Sequence, residues 1–254
     1  MRILWVVLRK ELLEQWRSYR LLIVCVVLLL FGLASPLLAK YTPQLLRLAL
    51  PEGEEILNLI PPPTVGDAVS QYLKNITQFG VLLAVLMAMG LVALEKDKGT
   101  AGLMLAKPIP RGVFLIAKFV ALGLTFAAGI LLAAVSGYYY TLLLFEPLSL
   151  SAWLGLNALL LTFILVYVAV TLLCSTVTDS QVVSGGLALV FVVVLSGLSA
   201  VPRLGEFMPG QLNTWAAGLV TGHGEPAWAA LGVSVGLIVA ALVVAWLVFE
   251  RQEL

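Results

Sequence analysis

Between two long apolar runs, the stretch from Ala93 to Lys118 reads ALEKDKGTAGLMLAKPIPRGVFLIAK and gathers five of the chain's fifteen basic residues into 26 positions. Glu95, Lys96, Asp97 and Lys98 form a solvated charge cluster, after which Gly99 and Thr100 break or turn the chain. Thr100 to Ala106 can form a short helix whose Leu103, Met104 and Leu105 need an apolar surface to cover. Lys107 follows, Pro108 and Pro110 stop the helix, and Arg111 and Lys118 are placed to anchor the next helix at the level of lipid phosphates. The chemistry open to such a segment is recognition, because a short apolar helix held between charges fits a groove on a partner protein. Groups for bond-making are missing around it. No stretch matches the phosphate-cradling G-x-x-x-x-G-K-[ST] loop. The apolar runs contain no Ser/His pair or paired carboxylates, and the single histidine, His223, has no second ligand at metal spacing. An enzyme is not expected, nor is a metal or a cofactor bound by this chain.

The elements that must position this segment follow from composition. Hydrophobic residues make up 61% of the chain and charged residues 11%, whereas soluble domains average roughly 45–50% and about 25%. The chain therefore reads as one polytopic membrane domain over 1–254. Six apolar runs, at 21–39, 75–94, 113–145, 152–174, 181–202 and 226–249, reach the roughly 17–25 residues needed to span about 30 Å of hydrocarbon. They are continuously apolar rather than alternating, which selects helices over a β-barrel. The fold class is all-α. Residues 3–20 predict an amphipathic elbow helix, with Trp5, Leu8, Leu12, Trp16 and Tyr19 on one face and Lys10, Glu14 and Arg17 on the other. It would lie in the membrane interface and bend into the first span near Arg20. Residues 95–112 link spans two and three. With both termini in the cytoplasm, only Lys40, Arg47, Lys74 and Arg203 of the fifteen basic residues fall outside, as the excess of positive charge on inner loops requires.

Other features bear on packing. Thr64 with Asp67 three residues on resembles a helix start, opening a helix that runs into span two. Gly129, Ala133 and Gly137 recur at four-residue spacing, a pattern that lets helix backbones approach closely. Tyr72, Tyr138, Trp153, Trp215 and Trp228 are expected at the outer interface, and Trp5, Trp16, Trp246 and Phe249 at the inner one. Cys25 and Cys174 read as small packing residues rather than a disulfide. Residues 202–225 read as an outer loop, and Ser175 to Gln181 as a minor second cytoplasmic contact.

The ordered series Glu95-x-x-x-Gly99-Thr100, then Lys107-Pro108-Ile109-Pro110-Arg111 and Lys118-Phe119, resembles the signature of ABC-2 type transporter permeases. Pro110 departs from it, since Ser is more usual there. The resemblance covers the whole chain: an N-terminal amphipathic segment, six spans, and the signature between spans two and three. It implies a permease subunit that pairs with a second permease, as homodimer or heterodimer, and docks two copies of an ATP-binding subunit. ATP and Mg would be held by that subunit, and no nucleic acid is involved. Glu95, Gly99, Thr100, Lys107, Pro108, Pro110 and Arg111 are then the candidate coupling residues. The resemblance also implies a prokaryotic inner or plasma membrane. Asp67, Gln71, Lys74 and Gln78 share one face at the outer end of span two; a solvated face explains them, and the lining of an exit is the sharper alternative. The expected function is export of a hydrophobic or amphipathic compound. Alternatives are a permease assisting maturation of a copper enzyme, as in one resembling branch, or an ion-coupled secondary transporter. The last is disfavoured by the absence of ionisable groups from the middle of any run.

Overall fold

The computed structural model describes residues 2–49, 62–99 and 110–252, and every regular element among them is helical. In chain order these are α1 (Arg2–Arg17), α2 (Arg20–Ala49), α3 (Val65–Ala88), α4 (Ala93–Asp97), α5 (Arg111–Leu144), α6 (Leu150–Val177), α7 (Gln181–Ser199), α8 (Gln211–Thr221) and α9 (Trp228–Arg251). Six stretches are long and apolar enough to cross a membrane: α2, α3 continued through α4, α5, α6, α7 and α9. The protein is therefore a multi-pass helical membrane protein, as composition requires.

Local chemistry sets the helix ends. Tyr19 adopts φ +60°, a left-handed turn that costs a residue with a side chain about 1–2 kcal/mol and redirects the chain from α1 into α2. The Thr64–Asp67 capping box is formed: Asp67 Oδ2 accepts from the Thr64 backbone N–H at 2.7 Å, and Thr64 Oγ1 accepts from Asp67 N–H at 3.4 Å. This box starts α3 at Val65, so the helix projects well beyond the run at 75–94 that hydropathy alone marks out.

α6 is the centre of the bundle, with 72% of its most apolar window buried, against 22% for α7 and 17% for α9. α2 lies directly against α5. A Cβ added at Gly32 would sit 2.7 Å from the Ala133 Cα, and one at Gly129 would sit 2.9 Å from Leu28. The small residues of α5 thus do what their spacing predicts, admitting a neighbouring backbone. Gly137 makes room for the rings of Tyr72 and Trp153. Those two rings, with centroids 4.8 Å apart, are fully buried. Tyr72 Oη donates to Asn157 Oδ1 at 2.7 Å, and Trp153 Nε1 donates to the Ala134 carbonyl at 2.9 Å. Tyr72, Trp153, Trp215 and Phe249 are therefore core rather than interfacial belt residues, while Trp5, Trp16, Tyr19 and Trp228 remain about two-thirds exposed. A buried Tyr or Trp needs a partner for its polar atom, and tertiary contacts supply it for Tyr72 and Trp153 here.

The region read as an outer loop, 202–225, contains α8. At 11 residues it is too short to span, yet Leu212, Trp215 and Ala216 are buried where it packs against α6 and α3. Both cysteines are free thiols.

Candidate functional site

α1, α4, the start of α5 and the last turn of α9 meet at one end of the bundle, called here the basic end. Of the signature residues, Thr100, Lys107 and Pro108 lie outside the described residues. The other four are placed as follows. Gly99 follows α4 with φ +65°, and its N–H donates to the Lys96 carbonyl at 2.9 Å. A Cβ there would touch nothing within 4 Å among the described residues, and the positive φ is itself a demand of backbone conformation that glycine meets. Gly99→Ala is expected to cost about 1 kcal/mol and Gly99→Asn less, since asparagine tolerates the left-handed region. Melting temperatures of the two variants check this order.

Pro110 precedes α5 and provides no side-chain cap. Arg111, the first residue of α5, reaches across to the end of α9. Its Nη1 donates to the carbonyls of Phe249, Glu250 and Gln252, the last two at 2.9 Å. The guanidinium also lies over the Phe249 ring, 5.7 Å from its centroid. A cation on the final carbonyls satisfies acceptors that the helix cannot and complements the negative end of its dipole. Arg111 is thus a clasp between the third and the last membrane-crossing helices.

Glu95 enters a buried ionic network. Lys118 Nζ is 2.7 Å from Glu95 Oε1 and 3.2 Å from Glu11 Oε2. The Lys118 side chain is 1% exposed and that of Glu11 3%. Lys10 completes the group, 2.9 Å from both Glu11 and Glu14 and 3.8 Å from Glu95. The three carboxylates lie within 4.8 Å of one another, and two ammonium groups supply the positive charge that such convergence requires. Next along α1, Gln15 accepts a hydrogen bond from Thr125 of α5. Lys118 therefore does not reach for lipid phosphates. It sits about 10 Å along the axis from Arg111, and the helix it belongs to is tied through it to α1 and α4.

The face of α1 that packs on α5 is consequently Val7, Glu11 and Gln15, while Trp5 and Trp16 stay exposed. Helical periodicity marks out the aromatic stripe, but the tightest contacts are the polar ones. Burial pushes the Lys10 ammonium down, yet the carboxylates of Glu11, Glu14 and Glu95 outweigh it and hold the group above the usual lysine range. Burial likewise pushes the Glu14 carboxyl up, and Lys10 overrides it and holds the group below its usual range. Stability from Glu14 is present at neutral pH and lost as pH falls through the carboxylate range; that from Lys10 is lost only in strong alkali.

The break between α3 and α4 is held by α6. Ser175 Oγ accepts from the backbone N–H groups of Val92 and Ala93, each at 3.0 Å, and donates to the Met89 carbonyl at 2.9 Å. Ser175 is fully buried, so it satisfies three backbone groups that the interrupted helix leaves exposed to an apolar interior. Lys96 of α4 adds bonds to the carbonyls of Thr176 and Thr178 and to Asp179, at 2.6, 3.2 and 3.2 Å. Gln252, just past α9, also donates to the Thr176 carbonyl, at 3.1 Å. The turn between α6 and α7 is thereby joined to both the signature segment and the end of the last helix. Ser175, Lys118 and Glu11 play parts that sequence reading does not assign. Lys118 stands out in sequence only as an anchor and a signature position and Ser175 only as part of a short link, and neither signal names its partner.

At the opposite end of the bundle, Asp67, Gln71 and Lys74 line an open cavity of about 370 Å³ between the start of α3 and the C-terminal part of α2. Lys74 and Gln78 line a second, of about 230 Å³, with Leu73, Thr77 and Asn213 of α8. All four residues of the expected stripe therefore border solvent-sized space, and Lys74 belongs to both cavities.

Comparison with known proteins agrees with the architecture. Residues 5–217 match the model of the ABC-2 family transporter proteins. The chain is also 30% identical over 237 residues to the uncharacterized transmembrane protein YxlG of Bacillus subtilis (strain 168), covering 89% of this chain and 88% of that protein. With six membrane-crossing helices and a family match over most of its length, this protein belongs to the ABC-2 family of transporter membrane proteins.

Proposed function

We infer that the chain is the permease subunit of an ATP-binding cassette transporter and exports a hydrophobic or amphipathic compound. Hydrolysis takes place in a separate ATP-binding subunit, present in two copies, and a second permease completes the pathway. The basic end faces the cytoplasm, both termini with it, in a prokaryotic plasma membrane. The observation that supports this reading best is the polar lattice at the basic end. Glu95 and Lys118 tie α4 to α1 and α5, Lys96 ties it to the α6–α7 turn, and Arg111 ties α5 to α9. A push delivered to the signature segment by an ATP-binding subunit would reach α1, α5, the α6–α7 turn and α9 through these bonds. The membrane-crossing helices otherwise offer neutral polar groups such as Asn157, Thr171 and Ser234, all buried. Such groups do not compensate the cost of a bare ion in low dielectric, and an amphiphile entering from lipid meets no such cost.

The test is reconstitution with the co-purified ATP-binding subunit and a screen of hydrophobic dyes, lipids and inorganic ions for stimulated hydrolysis. Arg111→Glu is expected to reduce stimulation by an order of magnitude or more, because the reversed charge meets three carbonyls it can only repel. Protein abundance should fall far less. Stimulation by an inorganic ion alone, with no response to any amphiphile, would overturn the substrate class. Full coupling in the Arg111→Glu protein would overturn the clasp.

A further inference from the structure

We propose that the exposed face of α3 is a binding track for an anionic amphiphile, with Lys74 as the charge that receives its head. This rests on the export reading above and names the chemistry of the passenger. Asp67, Ser70, Lys74, Gln78, Leu82 and Leu86 are all exposed and follow one another at three- or four-residue spacing, so they form a single stripe down the helix. The stripe is polar as far as Gln78 and then apolar, with Leu82 and Leu86 nearly half exposed. From Lys74 to Leu86 it measures about 18 Å, the length of a fatty chain. A solvated helix end followed by a lipid-facing half already accounts for such a stripe; the cavity beside Lys74 is what adds a binding site to it.

The smaller cavity sits where the polar part ends, and Lys74 is the one charged residue among the described residues that line it. At about 230 Å³ it has room for a carboxylate, phosphate or sulfate with its waters, a water taking about 30 Å³. Two of the lining residues, Thr77 and Asn213, each carry a side-chain oxygen just behind the wall that is buried and has no hydrogen-bond partner among the described residues. Buried polar atoms left unpaired call for a partner beyond the described residues, such as a water or a ligand. The Thr77 hydroxyl and the amide nitrogens of Gln78 and Asn213 can donate to an oxyanion, and the Lys74 ammonium neutralises it. Asp67, the acid nearest along the stripe, is committed to the Thr64 cap through its carboxylate. A positively charged cleft with several donors selects an anionic head, and the apolar lower half of the stripe selects a tail.

Two sources could supply that chemistry, a transported amphiphile or a resident anionic lipid, and the experiment separates them. The full chain with its ATP-binding subunit is placed in phosphatidylcholine vesicles. It is then offered fluorescent amphiphiles that share one dodecyl tail and end in a carboxylate, a neutral amide or a trimethylammonium group. The carboxylate is expected to stimulate hydrolysis at the lowest concentration. Lys74→Gln should raise that concentration about tenfold, the worth of one charge-assisted hydrogen bond, and Lys74→Glu should transfer the preference to the ammonium probe. Thr77→Val should weaken the carboxylate without changing which head is preferred. In parallel, melting is followed with phosphatidylglycerol added. Stabilisation that Lys74→Glu abolishes, without any head preference in hydrolysis, assigns the site to a resident lipid. If no amphiphile stimulates hydrolysis but the lipid response depends on Lys74, the export reading fails and the anionic site stands. Head preference and lipid response both unaffected by Lys74→Glu would overturn the site.

Discussion

Replacing Lys118 with methionine is expected to destabilise the protein by about 3–5 kcal/mol, the usual result of removing one partner from a buried ion pair. Methionine fills nearly the same volume, so the loss is electrostatic: the Glu11 and Glu95 carboxylates lose the ammonium that lies 2.7 to 3.2 Å from them and, of the two lysines, keep the half-exposed Lys10, at 2.9 and 3.8 Å. Adding Glu11→Gln to the same protein should recover part of the loss, because one of the carboxylates left to share Lys10 is then neutral. Thermal melting in detergent checks both, with no need for the ATP-binding subunit. An unchanged melting temperature in the single variant would show that the network is not what holds α1 against α5. Recovery in the double variant would also distinguish charge from packing, since Glu11→Gln alters shape very little.

The second large effect is expected at Ser175. Its replacement by alanine removes the acceptor for the Val92 and Ala93 N–H groups and the donor to the Met89 carbonyl. An unsatisfied buried backbone group costs about 1–3 kcal/mol, so a total of at least about 2 kcal/mol should follow even if a water enters. The effect should be local before it is global. Hydrogen exchange at Val92 and Ala93 is expected to rise well above that in the flanking turns of α3. Equal protection in both proteins would show that the break is satisfied in another way. Ser175 belongs to the segment read as a minor cytoplasmic contact, and its role comes from a helix some eighty positions earlier in the chain.

Much of the architecture is legible without coordinates because a bilayer imposes few solutions. Runs of about twenty apolar residues must be helices, and six of them appear where composition places them. The Thr64–Asp67 start is also readable, since capping is a contact between residues three apart. So is the small-residue seam of α5 at Gly129, Ala133 and Gly137, although the partner it admits, α2, is not. α8 escapes reading because it is short and is followed by glycine and proline. Its helicity depends on burying Leu212, Trp215 and Ala216 against α6 and α3.

The sequence by itself determined the class of protein, the number of membrane-crossing helices and the membership suggested by the ordered Glu, Gly, Thr, Pro and Arg of the signature. These depend on local quantities: the transfer energy of each apolar run, the φ of Gly99, the charge balance of each link. Tertiary structure alone decided which polar residues meet. Glu11 stands more than eighty positions before Glu95 and over a hundred before Lys118, and only helix packing brings the three within hydrogen-bonding distance. The same holds for Arg111 with the end of α9 and for Lys74 between its two cavities. The physical reason is that burying a charge is costly everywhere except beside its partner, and no local pattern records where the partner will be.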